Sequence, residues 1–224
     1  MPSFNNRNLI QSLERDVQKL LNEIKGLQGL SQETLNRQPQ PGKWSAVQVL
    51  EHLNSYNRHY LPVFESTIKK ADEPQAPGGM HNLMVALKLA KKGEARRPMA
   101  RQANRTFNAG VLGNYYTNMM MPKEGKVAKK LPADQKHTPA RILDAQKVVA
   151  EFIESQTRLI EVMKAAETVD LQKLKVGTTL PMASKLRMGD MFRFLVAHQQ
   201  RHFVQLAVAM KQVKATETLL QLVA

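Results

Sequence analysis

The chain has 224 residues and carries 33 Lys+Arg against 19 Asp+Glu, a formal net charge of +14. Its 42% hydrophobic content supplies a core and argues against disorder, while an aromatic content of only 5% favours helices over a β-sandwich. The absence of Cys excludes disulfides, thiolate metal sites and a Cys nucleophile.

The opening residues show no charged region followed by an apolar run, and no stretch approaches the ~20 apolar residues of a membrane span. A soluble cytoplasmic protein with no membrane partner is the expectation. Leu9, Leu13, Val17, Leu20, Ile24 and Leu27 recur at spacings of three and four, which predicts an amphipathic helix over 5–28 stopping near Gly29. Prolines and glycine between Gln38 and Gly42 make a connector. Ser45 followed by Gln48 is a capping box, so a second helix is predicted from Ser45, with Val47, Leu50, Leu53, Leu61, Phe64 and Ile68 inward and a kink at Pro62.

From Asp72 to His137 the pattern breaks. His81–Lys92 reads as a short helix, and the remainder is punctuated by Pro98, Gly110, Gly113, Pro122, Gly125 and Pro132. Between Ala86 and Lys136 twelve Lys/Arg face three acids, so this is a basic insertion, 72–137, in a single domain spanning 1–224. Thr138 and Pro139 are read as the cap and first residue of a third long helix ending near Glu167. A connection over 169–187 leads to a fourth helix, Gly189–Lys211, and a short tail helix, Thr216–Val223. The expected fold is all-α, a four-helix bundle with an insertion between helices two and three.

Among six histidines, His198 and His202 stand one helical turn apart. At 100° per residue they share a stripe with Met191, Phe194, Leu195, Leu206 and Ala209, so they point into the bundle. Buried imidazoles need a hydrogen bond or a ligand, and metal is one solution. Structural roles satisfied by carbonyls or water are the other. The run from His198 to His202 has no Glu after its first His, so it is not a zinc-peptidase motif and supplies no built-in base.

His52 lies at the border of the second helix's apolar face. The stretch PGKWSAVQVLEHL over 41–53, together with GDMFRFLVAHQQRHFVQ over 189–205, resembles the DinB-like superfamily, which includes YfiT-type metal-dependent hydrolases and thiol-dependent S-transferases. The resemblance covers about residues 5–70 and 138–211. It implies a four-helix bundle of up-down-down-up connectivity and one divalent ion, zinc or nickel, on three His. By position the metal ligands are His52, His198 and His202. Three protein ligands leave the ion open to a substrate, either a water for hydrolysis or a low-molecular-weight thiol for transfer to a small electrophile. No catalytic residue is assigned: Glu51 points about 100° from His52, and Asp190 serves as a cap or dipole partner. Tyr56 and His59 are candidates to line the pocket, with a surface role equally open for His59, and Gln205 is either a partner of the histidines or a polar residue at the wet end.

The basic insertion offers an alternative, a non-enzymatic module gripping nucleic acid or an acidic partner, with Tyr115 and Tyr116 for stacking. No nucleic-acid motif accompanies it. A third use is guiding an anionic small substrate to the metal. Apolar positions in the tail make a homodimer reasonable.

Overall fold

The computed structural model describes residues 1–72, 105–127 and 134–223. The elements run β1 (Ser3–Asn5), α1 (Asn6–Lys25), α2 (Gln32–Asn36), α3 (Ala46–Asp72), β2 (Thr106–Asn108) and α4 (Val111–Met120). They continue with a 3-10 turn (Gln135–His137), α5 (Ala145–Ala166), β3 (Lys175–Gly177), β4 (Lys185–Arg187) and α6 (Met188–Val223). The predicted helix over His81–Lys92 lies outside the described residues.

The capping box forms as the sequence requires. Gln48 Oε1 accepts the Ser45 N–H at 3.0 Å, and Ser45 Oγ accepts the Gln48 N–H at 3.3 Å. Gln48 Nε2 also donates to the Ala140 carbonyl, tying the start of α3 to the chain ahead of α5. The helix then continues through Pro62 to Asp72.

The third long helix starts later than Thr138. That residue instead closes the 3-10 turn, its N–H reaching the Gln135 carbonyl, and Asp144 is the cap, Oδ1 accepting the Lys147 N–H at 3.2 Å. The expected tail helix is no separate element either: α6 runs unbroken to Val223. In the first helix the stop falls at Gly26 rather than Gly29.

Cross-helix pairs fix the directions. Asn54 donates to the Val148 carbonyl, Arg58 pairs with Glu151 and Arg158 with Glu65, so α3 and α5 run parallel. Phe64 meets Phe192 while His52 meets His202, so α6 runs antiparallel to α3. The early residues Leu9 and Leu13 share a core with Leu159 and Met163, and Leu20 and Ile24 share one with Val149 and Phe152, which sets α1 antiparallel to α5. This is an all-α bundle of up-down-down-up order.

The described part of the insertion is packed rather than irregular. β1 pairs with β2, Phe4 opposite Phe107, and Phe107 is fully buried beneath α6. A Cβ at Gly189 would stand 2.8 Å from the Phe107 ring, and one at Gly113 would collide with the Asp190 carboxyl group. These two glycines allow β2 and α4 to press onto the first turn of α6. Asp190, buried there, accepts the Gly110 N–H at 2.9 Å and sits 3.5 Å from Arg193. Burial raises its pKa, and burial lowers that of Arg193. No described helix is long and apolar enough to cross a membrane.

Candidate metal centre

α3 and α6 cross with His52 facing His198 and His202. One ring nitrogen from each of the three lies within 4.8 Å of the others. His52 and His198 are buried, and His202 is partly exposed to a cavity. The stripe read from the 100° rotation thus places both α6 histidines as expected, and the third arrives from a helix 146 residues earlier in the chain.

Hydrogen bonds decide which nitrogens are available. His52 Nδ1 donates to the His137 carbonyl at 2.8 Å, and His202 Nδ1 donates to Gln205 Oε1 at 3.0 Å. Each bond fixes a tautomer and leaves Nε2 with an open lone pair, the arrangement that orients metal-binding imidazoles. His52 Nε2 stands 3.4 Å from His198 Nε2. Two nitrogens bound tetrahedrally at ~2.0–2.1 Å from one ion lie about 3.3–3.4 Å apart, so the observed spacing fits a shared cation. His198 Nδ1 is buried with no hydrogen-bond partner among the described residues.

Electrostatics favours the ligating form. Desolvation lowers His52 to about 4 and His202 to about 3, and pushes buried His198 well below the ordinary value. All three are neutral at pH 7.

An aromatic shell holds the imidazoles. Trp44 packs 5.0 Å from the His52 ring and 6.3 Å from His202, and Phe194 lies nearly parallel to His198 at 5.8 Å. Tyr56 sits between His198, at 4.4 Å, and His137, at 4.0 Å. Burial raises the Tyr56 phenol to about 12, so it stays protonated. His137 in turn is held by Ser55: the Ser55 hydroxyl donates to the His52 carbonyl and its oxygen accepts from His137 Nδ1 at 2.9 Å.

Several expectations about neighbours resolve here. Gln205 is a partner of His202, and Tyr56 lines the cavity, whereas His59 is exposed and packs on Tyr60 away from it. Glu51 pairs with Arg58 on the surface, and Asp190 anchors α4 far along α6. His137 was not singled out by spacing, because its contribution to His52 is a main-chain carbonyl that any residue supplies.

The cavity over the histidines has a volume of about 610 Å³. Its lining joins Trp44, Tyr56, His198 and His202 to Met120 and Val127 of the insertion and to Val204 and Val208 of α6. Neither a curated protein nor a solved structure matches the chain. The model of one family, the DinB superfamily, matches residues 13–206. With that match spanning most of the bundle and the three histidines inside it, the chain belongs to the DinB superfamily.

Proposed function

We propose that this protein binds one divalent metal ion through His52, His198 and His202, and uses it on a small substrate in hydrolysis or thiol transfer. One observation carries the reading: three neutral imidazoles meet at one point, two with Nδ1 already committed, beside a cavity of small-molecule size. A closed structural site needs four protein donors, and the described residues offer only this trio of His, Asp, Glu or Cys. When bound, zinc or nickel would acidify a water or thiol and polarise an electrophile.

The chain's own residues do the rest. The His137 carbonyl and Gln205 hold the imidazoles in orientation, Trp44 and Phe194 brace the rings, and Tyr56 offers a neutral phenol at the cavity wall. Because the protein has no Cys, a thiol nucleophile must arrive with the substrate.

Metal analysis of protein purified without a polyhistidine tag tests the site. Wild type should carry close to one equivalent, and the double variant His198→Ala, His202→Ala close to none. Equal content in both would remove the metal centre.

A further inference from the structure

The metal site says nothing by itself about the far end of the substrate, but the cavity's rim does. We propose that the cavity selects small molecules bearing carboxylate or phosphate groups, held by Arg201, Lys43 and Lys126, with an apolar portion lying against Val204, Val208 and Trp44. The inference rests on the metal-centre reading for the reactive end and extends it to the recognition of the substrate.

Three cationic side chains line the cavity, and none of the described residues lining it is acidic. They come from three separate places. Arg201 is buried on α6, one residue before His202. Its planar fork suits paired oxygens of a carboxylate or phosphate.

Each lysine is the last residue of a tight turn. The Lys43 N–H bonds the Gln40 carbonyl at 3.1 Å across Pro41 and Gly42, with Gly42 at φ +74°. Proline followed by positive-φ glycine is a type II turn. Lys123 and Lys126 exchange both backbone hydrogen bonds at 2.9 Å around Glu124 and Gly125, whose φ values are +49° and +70°. Two positive φ angles in a two-residue loop make a type I′ turn. The turns fix both backbones before a ligand arrives, so no loop ordering is added to the cost of binding. One lysine comes from the α3 connector and the other from the insertion, and both line the same cavity as Arg201.

Apolar surface completes the receptor. Val208, 54% exposed, lines this cavity beside Val204. A volume of about 610 Å³ accommodates a small molecule and is too confined for a duplex groove.

Trp44 is the chain's single tryptophan and lines the cavity, so its fluorescence reports occupancy with or without metal. Mercaptosuccinate, 1-thioglycerol and succinate are the probes, titrated into zinc-loaded and chelated protein. Mercaptosuccinate should bind about tenfold or more tightly than 1-thioglycerol in both forms, with the gap narrowing in high salt. Arg201→Gln should abolish the preference, and the exposed pair Lys43→Gln, Lys126→Gln should reduce it without affecting folding. Equal affinity for mercaptosuccinate and 1-thioglycerol, or a preference unchanged in both variants, overturns the proposal. Failure of the metal reading has a different signature: zinc would then give mercaptosuccinate no advantage over succinate, while the preference for anions persisted.

Discussion

Two acceptors orient two of the three histidines, His52 and His202. Without the His137 carbonyl and Gln205 Oε1, the rings of His52 and His202 would be free to place either nitrogen toward the centre. Gln205→Leu removes one acceptor while keeping the helix, and should weaken metal affinity roughly 10–100-fold. Competition against a chromophoric chelator reads this directly, and unchanged affinity would show that Gln205 is not orienting His202. Of these residues, the α6 pair was legible because one helix carries both and rotation alone aligns them. His52 needed the family resemblance, since no periodicity links positions in two helices. The carbonyl of His137 left no trace, because a backbone oxygen carries no residue type. Another single-residue constraint is Gly113. A methyl there meets the buried Asp190 carboxylate, so Gly113→Ala should cost about 1–3 kcal/mol in urea unfolding.

At the level of elements, local chemistry predicted helix starts well only where a single candidate existed. Ser45 and Gln48 satisfy each other, and the helix begins there. For the third long helix two candidates competed. Thr138 followed by Pro139 has the right sequence signature, but its hydroxyl turns back to the Asp134 carbonyl of the preceding 3-10 turn, and Asp144 caps the helix instead. Asp144→Ala should therefore cost about 1 kcal/mol of stability, and Thr138→Ala much less. The reverse order in chemical denaturation would contradict the assignment. The strands β1 to β4 span three residues each, too short for an alternating pattern to emerge. The packing of β2 and α4 onto α6 was hidden for another reason: of the glycines that permit it, Gly113 reads in sequence as punctuation and Gly189 as the first residue of a helix.

For the whole molecule, the histidines set a pH dependence. In metal-free protein the folded values fall to about 4 for His52 and about 3 for His202, with His198 also lowered, against an ordinary 6.5 in the unfolded chain. Below about pH 6.5 the unfolded chain takes up protons that the folded chain refuses. Stability is thus fully present above 6.5 and is lost as pH falls toward 4 and 3. Chelated wild type should lose stability more steeply over that range than the chelated double variant His198→Ala, His202→Ala. Parallel curves would mean that the imidazoles are not held neutral by burial. The order of the four long helices was legible at this scale, as amphipathic segments in the right sequence. Their parallel and antiparallel packing became visible only through pairs such as Asn54 with Val148 and Phe64 with Phe192.

The convergence of His52, His198 and His202 on one ion is the claim on which the chemistry depends. Anomalous diffraction from a zinc- or nickel-loaded crystal tests it most directly. The account predicts a single strong peak bonded to one nitrogen of each of the three rings at about 2.0–2.1 Å, with its remaining position facing the cavity. A peak bound elsewhere, or three imidazoles with no peak between them in metal-saturated crystals, would contradict it.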